Sequence, residues 1–294
     1  MKITTGITVT SILLLGITLS LQKEKHSKAY RKTFKILKGF CSYVPSGKAL
    51  VQKDSVSVQA FYMSKTEISN FNYQEFLSFL KKKGRVDELQ KASIDSSLWN
   101  TPSGLNNKMK DFYHSHPAYR NYPVVNISKE GAQLYCDWLT EMYDSLSGGE
   151  MKIKFRLPTK AEFIRAARGE HHYRAYPWGG PYLRDSKGMI LCNFLRLDAT
   201  NIARTENGFE VKLIPNQAMS TTYMDILAPV KSYWPNEFDI YNLSGNASEM
   251  LGDVDEVVGG DWRSPGYDVR IESTRKYTGP EPTTGFRVVA VLVN

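Results

Sequence analysis

The pattern of hydrophobic and polar positions is informative in the first half of the chain and fades in the second. Val56, Val58 and Ala60 alternate with polar neighbours, as a half-buried strand does, and Phe61, Tyr62 and Met63 extend it. Tyr73, Phe76, Leu77 and Leu80 then recur at helical spacing on one face. Ser69 or Asn70 can cap that helix, and Gly84 can end it. Lys81, Lys82 and Lys83 fall at its carboxyl end, where the helix dipole favours cations, so this run reads as a helix end and not as a binding patch. Residues 84 to 116 carry few strand or helix signals and read as loop. Pro123 to Ser128 reads as a short strand ending in an N-cap. Ala132, Tyr135, Cys136, Leu139 and Met142 mark a second helix, broken by Gly148 and Gly149. Thr159 and Glu162 have the spacing of a capping box, ahead of a short third helix through Phe163, Ile164, Ala166 and Ala167 that stops at Gly169. No long helical period follows. The rest is turn-rich and aromatic.

The amino end has a different pattern. Lys2 precedes an apolar run from Val9 to Leu21, shorter than the roughly 20 residues of a bilayer span and similar to the core of a secretory signal. Residues 1–21 read as a signal peptide, with Ser20 as the fair cleavage candidate, or as an uncleaved anchor if the run is counted from Ile7. No Cys follows the run, so bacterial lipoprotein-type attachment is excluded. Lys23, Lys25, Lys28, Arg31, Lys32, Lys35 and Lys38 come next, in a stretch (22–40) that reads as a polar, basic tether. Positive charge after the apolar run argues for an inside carboxyl end. Export, the usual state of the family described below, argues the other way.

Composition narrows the function classes. The formal charge of +8 suits an acidic partner or an anionic membrane surface. No Lys/Arg cluster interleaved with aromatics stands out, which argues against nucleic acid. The three cysteines, Cys41, Cys136 and Cys192, are an odd count with no CxxC pair. His114 and His116 form a His-x-His and His171 and His172 a pair, but no further pattern makes them a metal site.

The last quarter holds the densest chemistry: DIYNLSGNASEM, VVGGDWRS and GFRVV. Its Asn- and Gly-containing loop offers main-chain carbonyls, an Asn amide oxygen and the Glu249 carboxylate, hard donors of the kind Ca²⁺ takes. The alternative is a tight turn, with Asn and Gly chosen for positive φ. In order along the chain, VSVQAFYMSKTEISNFNYQEFL, YPVVNISKEGAQLYCDWL, FRLPTKAEFIRAARG, YPWGG, CNF, APVKSYWPNEFDIYNLSGNASEM, VVGGDWRS and GFRVV resemble the formylglycine-generating-enzyme (sulfatase-modifying factor) superfamily, over roughly Tyr43 to Val293. Within it, VQAFYMSKTEIS and HPAYRNYPVV most resemble lipoproteins of gliding motility and type IX secretion in Bacteroidetes.

The resemblance implies an α+β fold: a compact, C-type-lectin-like single domain over residues 41–294, with little regular secondary structure and long loops. The family's oxidase chemistry uses a pair of Cys after the Gly-Gly to bind copper, because soft thiolates hold Cu(I). In this chain Ser264 stands at the first position and the second falls near Asp268, so no copper and no formylglycine formation are expected. The resemblance also implies two Ca²⁺ sites. One comprises Asn242, Gly245, Ala247 and Glu249. The other begins at Asn193 and Phe194, with Asp225 as its acid. Glu67 and Asn70 match a junction motif of the family and are read as structural. Arg287 is expected to pair with an internal carboxylate.

Three readings of function follow. The first is a non-catalytic, exported family member that binds other envelope proteins, such as subunits of a motility or secretion assembly, with membrane association through the amino-terminal segment. The second is an enzyme of changed chemistry, using Ser264, Asp268, Arg263 and Asp261 in a deep pocket. The third is a lectin-like binder, which needs an exposed aromatic beside polar groups. A hydrolytic triad on Ser264 is not supported, since nothing resembles a nucleophile elbow.

Overall fold

The structure is a computed structural model that describes residues 27–100, 107–171, 173–196, 202–211 and 226–293. In chain order, its elements begin with α1 (Lys28–Phe40), β1 (Cys41–Val44), β2 (Gly47–Val51), β3 (Asp54–Val58), β4 (Phe61–Ser64), α2 (Asn70–Lys82), α3 (Val86–Lys91) and α4 (Met109–Phe112). They continue with α5 (Lys129–Ser147), β5 (Ile153–Arg156), α6 (Lys160–Arg168), β6 (Ile202–Thr205) and β7 (Gly208–Val211). The chain closes with β8 (Ser248–Met250), β9 (Glu256–Val258), β10 (Thr274–Lys276), β11 (Thr284–Gly285) and β12 (Val289–Leu292).

Period-two burial builds the centre. Strands β1, β4, β12 and β5 form an antiparallel sheet in that order, with Val289 opposite both Met63 and Arg156. Successive side chains of a strand point to opposite faces. Accordingly, Phe61, Met63 and Val289 pack on Phe163, Ile164 and Ala167 of α6. Tyr62, Ala290 and Phe155 face the other way, into the cluster of Tyr73, Phe76, Tyr135, Cys136 and Leu139 from α2 and α5. A second sheet, ordered β10-β9-β8-β11, carries the polar loops of the last quarter. The arrangement is α+β, with few regular elements between Gly169 and Ser248 among the described residues.

The expected helices form for the expected reasons. Ser69 caps α2 by accepting from the Asn72 N–H at 3.2 Å, and Ser128 caps α5 by accepting from the Gly131 N–H at 2.9 Å. Both halves of the Thr159–Glu162 capping box are made. On α5 the buried stripe runs through Tyr143, and Met142 is only partly buried.

Four expectations differ from the structure. The stretch 22–40 is not a tether over residues 28–40. Ser27 caps α1, whose Thr33 and Leu37 are buried and whose Tyr30 and Phe34 pack on the core. The stripe of Tyr30, Thr33, Phe34 and Leu37 has helical spacing, but the surrounding lysines mask it in composition. Residues 84–116 contain α3, a 3-10 turn at Ser96–Trp99 and α4. These short pieces are anchored by the fully buried Trp99 and Tyr113, whose rings lie 4.9 Å apart. Pro123 to Ser128 makes one bridge to Ser69 and no strand, because Asn126 sits at φ 61°. The alternation from Val56 is split: β3 pairs with β2 in a separate hairpin, leaving Val56 exposed, and β4 starts afresh. Residues 1–21 and Asp225 lie outside the described residues. No described helix is long and apolar enough to cross a membrane.

Because α1 belongs to the core, Leu37→Ala is expected to cost about 2–5 kcal/mol in urea unfolding. Lys32→Ala on the outer side of the same helix should leave the midpoint within experimental error. Equal, near-zero effects would show that the helix is not docked.

Candidate functional site

The chain between Asp239 and Glu249 turns sharply, with Asp239, Asn242, Gly245 and Asn246 all at φ between 52° and 74°. Asn and Asp tolerate this region through local hydrogen bonds, and glycine through its missing Cβ. At Gly245 the glycine is needed twice, because a Cβ there would lie 2.2 Å from the Asn193 carbonyl oxygen. The adjacent Asn246 N–H donates to that same oxygen at 2.8 Å. Gly260 is similarly pressed, with the Asp268 carbonyl oxygen 2.3 Å from its missing Cβ. Two close backbone contacts therefore fix the loops of the last quarter against one another.

Beneath them lies a buried charge cluster. The Arg287 guanidinium meets Glu249 through Nε at 2.5 Å and Nη2 at 2.6 Å, and also donates to the Ser64 and Tyr241 carbonyls. Arg287, Glu249 and Glu67 are all essentially inaccessible to solvent. The Asn242 and Asn246 amides donate to the two Glu67 oxygens at 3.1 and 2.7 Å. Glu249 is thus paired directly with the guanidinium, and Glu67 lies in the field of that pair, held by the two Asn amides. Burial pushes the Glu67 carboxyl up to about 8; Arg287 opposes the rise and Glu249 adds to it. Burial also raises Glu249, against the pull of Arg287.

Above the cluster opens a cavity of about 390 Å³, lined by Asp261, Arg263, Ser264, Pro265, Arg275, Glu281, Pro282 and Thr283. Its polar groups are largely tied to each other. The Asp261 N–H donates to Ser264 Oγ at 3.1 Å, and the Ser264 N–H donates back to the Asp261 carbonyl at 2.9 Å. Arg275 meets Glu281 at 2.5 Å and lies 3.6 Å from Asp261, while its Nη2 donates to Thr284 Oγ1 at 2.8 Å and Ser248 Oγ at 3.0 Å. Burial raises the Asp261 carboxyl, opposed by the Arg263 N–H and by Arg275. The Arg263 guanidinium lies over the Trp262 ring at 4.4 Å. Tyr267, on the same loop, is 69 % exposed and covered on one face by the Arg270 guanidinium at 3.5 Å. This supplies the exposed aromatic beside polar groups that a lectin-like binder requires.

Ser264, Arg263 and Asp261 therefore converge as expected, and Asp268 does not. It is exposed on the turn Gly266–Val269 and is absent from the cavity lining. Among the residues proposed for the first calcium site, the Glu249 carboxylate and the Asn242 amide nitrogen already have protein partners. Both Glu249 oxygens are held by Arg287, and the Asn242 amide nitrogen faces Glu67 and the Val230 carbonyl. At the second site the Asn193 amide donates to Asn246 and Ile226, and Phe194 packs beside Tyr176 and Leu183. Of the His motifs, His172 lies outside the described residues. His114 is half-buried beside Asn70, with its pKa lowered to about 3 by desolvation, and the exposed His116 accepts from the Ala118 N–H. No group of three His, Cys, Asp or Glu among the described residues could hold a metal.

One thiol does come near. Cys192 packs with Tyr176 and Val269, next to the turn that bears Asp268, and the neighbouring Leu195 N–H donates to the Ser264 carbonyl at 2.9 Å. Cys192 is buried, and desolvation holds its thiol far above the usual range.

This combination of folds and loops is matched by known proteins. The sequence pattern of the sulfatase-modifying factor enzyme 1-like domain covers residues 20–292. The chain belongs to that family. It is 26 % identical over 217 residues to the formylglycine-generating enzyme of Bos taurus, covering 67 % of this chain and 50 % of that one. It is 23 % identical over 171 residues to the inactive C-alpha-formylglycine-generating enzyme 2 of Bos taurus, covering 58 % of this chain and 43 % of that one. The chain thus spans about half the length of the curated relatives it matches. The structure of PvdO from Pseudomonas aeruginosa shares the fold, with a TM-score of 0.54 at 16 % identity, over 85 % of this chain and 93 % of that one.

Sequence reasoning missed Arg275, Glu281 and Thr283, which form a whole wall of the cavity. They lie in RKYTGPEPTTG, where proline and glycine signal turns but nothing indicates which way the polar side chains face. The pairing of Arg287 was anticipated. The second carboxylate, Glu67, was not placed beside it.

A carboxyl whose folded pKa is raised stabilises the fold fully below its unfolded value and loses that contribution as pH rises through the folded value. For Glu67 the window is about pH 4.5 to about 8. The wild-type melting temperature should therefore fall over this range more than that of Glu67→Gln, and parallel curves would place the ionised group elsewhere. Arg287→Met, which leaves two buried carboxylates without their cation, should cost about 3–5 kcal/mol in denaturant unfolding.

Proposed function

We propose that this family member is non-catalytic and works by binding, as an exported subunit that presents the face around Ser264 to another envelope protein. The observation that carries the reading is the chemistry at the cavity. Two soft thiolates are needed to hold Cu(I), whereas this neighbourhood offers a Ser264 hydroxyl tied to Asp261 and a single buried thiol, Cys192. No Cys follows Cys192 in the sequence. The likeness to a relative whose name marks it as inactive supports the same conclusion. The fixed network of Asp261, Arg275, Glu281 and Thr284 suits recognition, since its donors and acceptors are preorganised.

The partner class is drawn from the sequence. VQAFYMSKTEIS and HPAYRNYPVV resemble lipoproteins of gliding motility and type IX secretion, so the proposed partners are subunits of such an assembly at the periplasmic side of the envelope. The first phrase leads through β4 to Glu67 and the second carries Tyr119 and Tyr122, which pack on Tyr113. Both therefore belong to the scaffold that holds the binding loops.

A second reading, an enzyme of changed chemistry, is favoured by one observation, the raised Asp261 carboxyl inside the cavity. It lacks a base hydrogen-bonded to Ser264 Oγ among the described contacts.

Incubation with copper and a Cys-containing sulfatase peptide should give no formylglycine by mass spectrometry; turnover would overturn the reading. Affinity purification of tagged protein from gently solubilised envelopes should bring down the same proteins in stoichiometric amounts. The double variant Arg263→Ala/Arg275→Ala should lower that recovery about tenfold or more, as for hot-spot arginines.

A further inference from the structure

We propose that the outer face of α1 is a docking surface for anionic lipid headgroups, independent of the cavity at Ser264. Lys28, Arg31, Lys32, Lys35 and Lys38 are all exposed, spaced so that they run along one side of the helix. The helix sequence KAYRKTFKILKGF contains no acid. None of these cations forms a salt bridge with a described residue, as is also true of Lys48, Lys81 and Lys82, whereas Lys65, Arg85, Lys91 and Lys129 are paired. Lys38 alone has a side-chain contact of note, over the Phe34 ring at 4.9 Å. The carboxylate that touches the element is Glu150, which accepts from the Ser27 N–H at its amino end.

The stripe is held rigidly. Thr33 and Leu37 are buried, and Phe34 stacks on Tyr30 at 6.2 Å and meets Tyr62 of β4 edge-on at 6.1 Å. Tyr62 in turn meets Tyr43 of β1 at 5.3 Å. Tyr43, at the end of this ladder, is 54 % exposed, and Ile36 on α1 is 41 % exposed. Amphipathic rings and aliphatic groups beside lysines match the chemistry of a bilayer interface, where rings sit at headgroup depth and cations meet phosphates. Lipid is favoured over an acidic protein by position in the chain. The apolar run Val9–Leu21 precedes α1, separated by residues 22–27, which include Lys23 and Lys25. A surface helix that follows an apolar run so closely stays within reach of the membrane that takes up that run.

The test uses the full chain with vesicles, so that the apolar run contributes equally throughout. Binding to phosphatidylcholine vesicles containing phosphatidylglycerol should exceed binding to phosphatidylcholine alone at least roughly tenfold at low salt, and high salt should erase the difference. The variant Lys28→Glu/Arg31→Glu/Lys32→Glu/Lys35→Glu should bind both vesicle types alike, with an unchanged melting temperature. The corresponding four-Gln variant gives the same readout if charge reversal disturbs folding. Equal binding of wild type to neutral and anionic vesicles would overturn the proposal, as would a variant that keeps the gain. So would charge-dependent capture of polyglutamate or DNA without any gain from phosphatidylglycerol.

Discussion

The structure depends on one buried guanidinium. Arg287 lies just before the strand that completes the central sheet, and four of its five donors reach Glu249 on β8, the Ser64 carbonyl at the end of β4 and the Tyr241 carbonyl ahead of the Asn-rich turn. A single side chain thereby joins both sheets and the loop between them. Desolvating such a charge is costly, and the cost is offset only when geometry and hydrogen bonding are nearly complete. Here they are, at the expense of placing a second carboxylate, Glu67, within the same field. That carboxylate is accommodated by the Asn242 and Asn246 amides. The same two asparagines take up the positive φ angles that turn the chain. The turn and the neutralisation of buried charge are thus one feature of the sequence, and neither residue type could be exchanged without disturbing both.

This arrangement positions the loops above through contacts made by the protein itself. The calcium reading treated Glu249 as a free oxygen donor, but its oxygens are committed to Arg287. The loop geometry is carried instead by main-chain contacts, such as the Asn246 N–H on the Asn193 carbonyl and the Gly245 N–H on the Gly259 carbonyl, both at 2.8 Å. Long loops inside a domain need ordering of this kind, whatever its source.

Legibility followed the strength of local signals. The helices at Asn70 and Lys129 were readable because a wide apolar stripe and a capping Ser agree. The capping box at Thr159 was readable because two side chains four positions long define it. Helix α1 was not, because one position of its buried stripe is the polar Thr33 and the lysines around it dominate composition. Trp99 and Tyr113 were not, because a single aromatic anchor in a short turn has no period. The Ser264 face was partly legible: Asp261, Arg263 and Ser264 adjoin in sequence, whereas Arg275 and Glu281 reach them only through the β9–β10 pairing and the turn that follows. Asp268 was misplaced because three residues of 3-10 turn rotate it outward, and spacing alone does not report rotation.

The polar groups of the cavity are satisfied mainly by one another. A catalytic nucleophile needs a base in contact and a lone pair directed at open space. Ser264 instead accepts the Asp261 N–H, and its own N–H closes the same short turn, so its hydroxyl oxygen helps hold the backbone that a substrate would have to approach. Arg275 likewise faces Glu281, Thr284 and Ser248 before any ligand arrives. These groups already pair with one another. They do define a fixed pattern of charge and shape at the surface, with Tyr267 and Arg263 at its rim. A protein partner can read such a pattern without any bond being made or broken, and a scaffold fixed from below by Arg287 keeps it constant.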